Sequence, residues 1–238
     1  MNRMDQKVAI ITGGSQGIGA SLVAAYRRQG WGVVATARRM KQTEDPEVLT
    51  VDGDITAPET AERIIGGALE RFGRIDTLVN NAGVYISKPF TDYTAEDYAL
   101  MVGVNLTGFF WLTQRAIAEM LQAVWRRGGQ HLGHYRGLRE LQLAFGPGRA
   151  DQGRPGLGHP VTRRRVRLAR HPVNAVSPGV IQTPVHPADS YEELGGRLLP
   201  LGRVGQVNDV VDGILFLEAS PYITGEILHS DGGQIAGH

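Results

Sequence analysis

The sequence predicts a single-domain α/β fold built on a doubly wound parallel sheet, and three observations lead there. Short apolar runs alternate with amphipathic helical stretches through the first half of the chain. The runs are continuously apolar through their centres rather than alternating, as in strands buried on both faces. The first of them ends in a glycine cluster that opens a helix.

The elements follow in order. Residues 7–12 (KVAIIT) form the first strand, and 18–28 a helix with Ile18, Leu22, Ala25 and Tyr26 at helical spacing. Gly30 closes that helix, and 31–36 (WGVVAT) make a second strand. A short third strand at 47–51 ends at Asp52-Gly53-Asp54. A helix over 61–71 carries Ile64, Ile65, Ala68 and Leu69 on one face, and 75–79 form the fourth strand before Asn80-Asn81-Ala82-Gly83. One long helix is expected within 95–121, with a stripe of Val102, Leu106, Phe109, Thr113, Ala116 and Met120. Near the C-terminus a helix starts at Asn208 and a last strand spans 223–228.

Composition narrows the function classes. With 238 residues, 42% of them hydrophobic, the chain can fill one sizeable core. A charged fraction of 21% and a net charge of +1 argue against global disorder. The absence of Cys removes disulfides, cysteine nucleophiles and thiolate metal sites. No apolar run approaches the roughly 20 residues of a membrane span. The N-terminus enters a β-like run too soon for a signal peptide. The expectation is a soluble cytoplasmic protein without a membrane partner or a metal, since His186 and His229 have no ligand constellation around them.

One stretch differs from everything around it. Of 22 Arg residues, 11 lie between Arg126 and Arg170, against only Glu140 and Asp151 as acids. Residues 122–172 are rich in Arg, Gly and Pro and offer neither strand alternation nor a helical stripe.

The glycine turn carries the first chemical signal. Thr12-Gly13-Gly14-Ser15-Gln16-Gly17-Ile18-Gly19 lies between a strand and a helix, where backbone N–H groups at a helix N-terminus can hold a pyrophosphate. The fold is therefore Rossmann-like, and the turn predicts a dinucleotide cofactor. An NAD site usually has an acid at the end of the second strand, to accept from the ribose 2′-OH. Here that end reads Ala35-Thr36-Ala37-Arg38-Arg39, with no Asp or Glu between Asp5 and Glu44. Arg38, with Arg39 beside it, suits a 2′-phosphate instead, so NADP is expected over NAD.

Thr-Gly-x-x-x-Gly-x-Gly at 12–19, Asp54, Asn80-Asn81-Ala82-Gly83 and Asn105 resemble the short-chain dehydrogenase/reductase family. So do Asn174-Ala175-Val176-Ser177-Pro178-Gly179-Val180-Ile181-Gln182-Thr183 and Thr224-Gly225 with Asp231-Gly232-Gly233, all in family order. The resemblance implies that Asp54, with Ile55 next to it, sits near the adenine. It implies that Asn81, Ala82 and Gly83 pack beside the adenosine ribose, and that Pro178, Gly179 and Thr183 contact the nicotinamide half. Asn105 matches an asparagine that helps hold a proton-relay water. Residues 178–191 resemble a mobile loop over the substrate. A homodimer or homotetramer follows by analogy alone.

The departures concern catalysis. The family uses Ser and Tyr-x-x-x-Lys: the Tyr exchanges a proton at the carbonyl oxygen, the Lys lowers its pKa, and the Ser positions the carbonyl. Between Asn105 and Asn174 there is no Lys and no Ser. Tyr135-Arg136-Gly137-Leu138-Arg139 mimics the spacing with Arg, a larger group that stays protonated, and Tyr135 lies too near the long helix. A reading-frame error in the gene is one account. Shifting possible codons for 150–162 by one base permits LTKGGLGSVTRS, a family-like catalytic helix, and forces Lys or Arg where Gln152 meets Gly153. The shifted codon spanning Gly148 and Arg149 begins with G and cannot encode Tyr, and the one spanning Tyr135 and Arg136 gives Thr or Ile.

A nucleic-acid segment built on Arg126-Arg127 and on Arg163-Arg164-Arg165 with Arg167 is a further account of the stretch. The preferred expectation has no nucleic-acid partner: an oxidoreductase of a small alcohol or carbonyl, with Asn105 as the one relay residue found. A dinucleotide-binding protein without turnover is its alternative.

Overall fold

The computed structural model describes residues 6–126, 139–143, 172–184 and 199–236. They form one seven-stranded parallel sheet with helices on both faces. Its strands are β1 (Val8–Thr12), β2 (Gly32–Ala37), β3 (Val48–Asp52), β4 (Thr77–Asn80), β5 (Arg139–Leu143), β6 (Val173–Pro178) and β7 (Ile227–Ser230). The spatial order is β3-β2-β1-β4-β5-β6-β7. The winding direction reverses between β1 and β4, and that reversal opens a crevice at the carboxyl ends of the strands.

The apolar runs divide by parity. Val8 and Ile10 face α2 (Pro58–Phe72) and α4 (Phe109–Arg126), while Ala9 and Ile11 face α1 (Gly17–Arg28) and α5 (Val207–Ala219). Burying each such Ile or Leu contributes about 1.5–3 kcal/mol. A one-residue slip would exchange the two faces, and both are filled. α2 starts earlier than expected, with Pro58 in its first turn, where a missing N–H costs nothing. It ends at Gly73, whose φ of 74° is the left-handed conformation that closes a helix.

Three expectations are corrected. The long helix within 95–121 is divided into α3 (Ala95–Val102), a π-helical segment (Gly103–Gly108) and α4. The wider π turn shifts the phase of the stripe, so Thr113, Ala116 and Met120 are buried while Leu106 is 44% exposed. Second, the 122–172 stretch holds a strand: β5 pairs with both β4 and β6, Val79 standing opposite Leu141 and Leu141 opposite Asn174. Leu141 and Leu143 do alternate with Glu140 and Gln142, but five residues of period two are hidden between Gly- and Arg-rich flanks. Third, the last strand begins at Ile227, because Gly225 takes a φ of 79° and breaks the extended run from Ile223. Tyr135, the Gln152 lysine slot and His186 lie outside the described residues.

Candidate dinucleotide-binding site

The site begins where β1 and β4 end side by side. The buried Thr12 hydroxyl accepts from Asn81 N at 2.9 Å and Ala82 N at 2.8 Å. Asn81 Nδ2 donates back to Thr12 O at 2.7 Å and Gly13 O at 3.3 Å. These bonds fix the glycine turn to the Asn81-Ala82-Gly83 turn. Gly13 sits at φ 68°, and a Cβ there would stand 2.8 Å from Asn81 Nδ2, so neither conformation nor space admits a side chain. α1 opens directly behind. Gln16 is extended at its N-cap, no side chain caps the helix, and its first turn holds no acid. Uncapped N–H groups and the positive end of the helix dipole thus meet at the mouth of the crevice, which suits an anion.

The turn is also tied to β2, since Gly14 N donates to Thr36 O at 3.0 Å. Beyond Ala37 the chain exposes Arg38 and Arg39. Two features near them were not legible in the sequence. Met40 N donates to Asp52 Oδ1 at 2.7 Å, bringing a carboxylate from β3 to the end of β2. The Thr36 hydroxyl is buried without a partner among the described residues.

Across the crevice, Asp54 is exposed and its Oδ1 accepts from Thr56 N at 2.9 Å, which shapes the turn into α2. Ile55 packs against the π-helical segment, where a Cβ on Gly108 would stand 2.6 Å from Ile55 Cγ1. Within that segment Asn105 holds the residue after the Asn81-Ala82-Gly83 turn at both backbone groups. Its Oδ1 accepts from Val84 N and its Nδ2 donates to Val84 O, each at 2.8 Å. Asn105→Ala removes both bonds and is expected to cost about 1–3 kcal/mol. Urea unfolding measures that loss, with faster amide exchange localised at Val84 as its signature.

The loop beyond Val84 is secured from α3. Thr94 caps α3 by accepting from Asp97 N, and Asp97 accepts from Thr94 N in return. Lys88 Nζ lies 2.5 Å from Asp97 Oδ2, and Tyr93 Oη donates to Ile86 O at 2.5 Å. The Lys88 ammonium, followed by the Thr94 N–H, holds the Asp97 carboxyl below the usual aspartate value of 3.8. A folded pKa below the unfolded one adds stability at neutral pH that is lost as pH falls through about 4 and below. Asp97→Asn is expected to flatten that acid limb relative to the parent chain in pH-dependent thermal melts.

The last contribution comes from β6. Gly179 N donates to Ser230 O at 3.1 Å, and Gln182 N to Gly205 O at 2.8 Å, holding the loop after Pro178 against β7 and the start of α5. That loop reaches α1, because a Cβ built on Gly17 would lie 3.6 Å from the Thr183 side chain. The structure therefore gathers the predicted positions at the carboxyl edge of one sheet: Thr12 to Gly19, Arg38, Asp54 and Ile55, Asn81 to Gly83, Asn105, and Pro178 to Thr183. Among the described residues no set of His, Asp and Glu side chains is placed to hold a metal, and no helix is long and apolar enough to cross a membrane.

Known proteins are similar to this chain in sequence and in fold. A family model described as short chain dehydrogenase matches residues 7–130, and one described as enoyl-(acyl carrier protein) reductase matches 165–234. An L-rhamnose-1-dehydrogenase of Scheffersomyces stipitis is 32% identical over 97% of this chain and 96% of that protein. A 3-oxoacyl-[acyl-carrier-protein] reductase of Thermotoga maritima is 30% identical over 98% and 99%. Among solved structures, ElxO with NADP bound superposes with a TM-score of 0.83 at 24% identity, over 98% of this chain and all of that one. A 3-ketoacyl-(acyl-carrier-protein) reductase from Brucella melitensis complexed with NADH gives 0.80 at 25% identity, over 96% and 98%. From its glycine turn to its last strand, the chain belongs to the short-chain dehydrogenase/reductase family of oxidoreductases.

Proposed function

We propose that the protein binds NADP and transfers hydride between it and a small alcohol or carbonyl compound. One observation carries the cofactor: α1 starts without a side-chain cap, and β2 runs directly into an exposed Arg38-Arg39 pair, the nearby carboxylate of Asp52 coming from β3 and accepting from Met40 N. The cradle fits a dinucleotide, since Gly13 lets the turn close against Asn81 and Ala82 while no side chain caps the start of α1 behind it. The similarity to structures carrying NADP and NADH, and to relatives named as dehydrogenases and reductases, supports the same reading.

Each group has a task. The first N–H groups of α1 bind the pyrophosphate, and Arg38 pairs with the 2′-phosphate. Asp54 and Ile55 border the adenine, and Asn81, Ala82 and Gly83 its ribose. Pro178, Gly179 and Thr183 hold the nicotinamide half, and Asn105 fixes the loop at Val84. A bound nicotinamide supplies or takes the hydride at C4. We place the protein in the cytoplasm, and as a homodimer or homotetramer, the assembly being supported by the exposed Phe216 and Tyr222.

A second reading has a specific observation behind it. No Lys or Ser lies between Asn105 and Asn174, so the residues that would move the substrate proton are not at family spacing. The chain would then bind the cofactor without turnover. Fluorescence titration with NADPH and NADH tests the shared site, and an alcohol and carbonyl panel then separates the two readings. NADPH binding with turnover supports the enzyme; binding with none across the panel supports the silent site; tighter NADH binding overturns the assignment of Arg38.

A further inference from the structure

We propose that Asp52, on the strand beside β2, is a positioning residue that sets the balance between the phosphorylated and unphosphorylated cofactor. The inference rests on the dinucleotide-binding reading above and adds a residue that neither the glycine turn nor the arginines identify. β3 pairs with β2 so that Asp52 stands beside Ala37, and Gly53 N donates to Ala37 O at 3.0 Å. Asp52 Oδ1 accepts the Met40 backbone N–H at 2.7 Å. Two residues earlier on the same strand, Thr50 Oγ1 donates to Gln42 Oε1 at 3.3 Å. Residues 40–42 are thereby laid against β3, and Met40 packs on the α1 side of the core. Arg38 and Arg39 are the exposed residues of a turn fixed by β2 at one end and by Asp52 at the other.

Asp52 acts on that turn in two opposed ways. As a tether it fixes the backbone under two flexible cations, reducing the ordering that ligand binding would otherwise require. As a charge it stands at the rim of the site for a 2′-phosphate and repels that dianion. Both groups are near solvent, where screening over about 10 Å limits such repulsion to a few-fold in affinity. NADH carries a hydroxyl at this position and does not feel the charge. The two effects separate chemically, because Asn keeps an oxygen acceptor for Met40 N–H and loses the charge, whereas Ala loses both.

Titrating the parent chain, Asp52→Asn and Asp52→Ala with NADPH and with NADH, by cofactor fluorescence at low and high salt, tests the proposal. Asp52→Asn is expected to tighten NADPH about three- to tenfold and leave NADH within about twofold, with the gain shrinking as salt rises. Asp52→Ala is expected to bind NADPH about three- to tenfold more weakly than Asp52→Asn, having lost the tether. Circular dichroism confirms that the compared variants are folded. Unchanged NADPH affinity in Asp52→Asn overturns the proposal. So does weakened NADH with NADPH unmoved, which would make Asp52 a ribose acceptor. Arg38→Ala in the parent chain is the separate control: if it leaves NADPH binding unchanged, the arginine assignment has failed, whatever Asp52 does.

Discussion

Arg38→Ala is expected to raise the Kd for NADPH about 10- to 100-fold while NADH moves by less than about threefold. A charge-assisted hydrogen bond contributes about 1.5–3 kcal/mol, and each 1.4 kcal/mol is tenfold in affinity. The 2′-phosphate is the one part of the cofactor that differs between the two titrants, so the loss belongs to it. Arg38 rather than Arg39 carries the larger share, because it directly follows the strand whose Thr36 carbonyl is bonded to the glycine turn. Arg39→Ala is accordingly the milder change. Arg38→Lys keeps the charge but not the planar fork, and recovers part of the affinity. Equal loss for both cofactors would show that the substitution had disturbed the turn itself.

The residues explain why so much of the fold was legible and why particular parts were not. β1, β2 and β4 are apolar on both faces because helices cover both, and such runs stand out in any sequence. Helix starts were less legible: Pro58 marks the true first turn of α2, three residues before the apolar stripe begins at Ala61. The π-helical segment left no periodic trace, since what accompanies it is the Asn105 side chain bonded to Val84, 21 residues away in sequence. In the site, the glycine turn and the Asn81-Ala82-Gly83 turn were visible as motifs. The Thr12 hydroxyl that joins them and the Asp52 carboxylate at Met40 were not, because each bond depends on how separate segments are brought together, Thr12 with Ala82 and β3 with the chain after β2.

The catalytic interval poses a different problem. The two family matches stop at 130 and resume at 165, and the residues between them fall inside the Arg-rich stretch that begins at Arg126. A compositional break, the gap between the two family matches and the missing Lys and Ser therefore coincide. A shifted reading frame between two compensating changes is the hypothesis that would account for the compositional break and the missing Lys, although the shifted codon spanning Tyr135 and Arg136 gives Thr or Ile and not Ser. Sequencing the gene across the codons for 121–174 decides the matter. Compensating frame changes would restore a Lys or Arg near Gln152, but the codon four residues earlier still could not encode Tyr, so turnover would need another acid. An unaltered frame would leave a cofactor site without the usual relay.

A larger loss is expected from one methyl group, in Gly19→Ala. Gly19 is buried in the first turn of α1, and a Cβ there would collide with Gly13 O while standing 2.6 Å from Asn81 Nδ2. Neither atom can yield cheaply. Gly13 O belongs to the backbone of a turn already held at φ 68°, and Asn81 Nδ2 is bonded to Thr12 O. Relief requires α1 to move away from the turn, which uncouples the helix N-terminus from the crevice and breaks the Asn81 bonds together. The expected cost is about 3 kcal/mol or more, beyond the usual range for overpacking because backbone must shift. NADPH binding should be lost even at temperatures where the variant remains folded. Gly66→Ala is the matched control, since Gly66 is exposed in α2 and a Cβ there meets nothing within 4 Å. It should leave binding intact and add about 0.5–1 kcal/mol of helix stability. The same added methyl thus has opposite signs at two helical glycines, and the difference between them isolates the contact of α1 with the glycine turn as the feature on which cofactor binding depends.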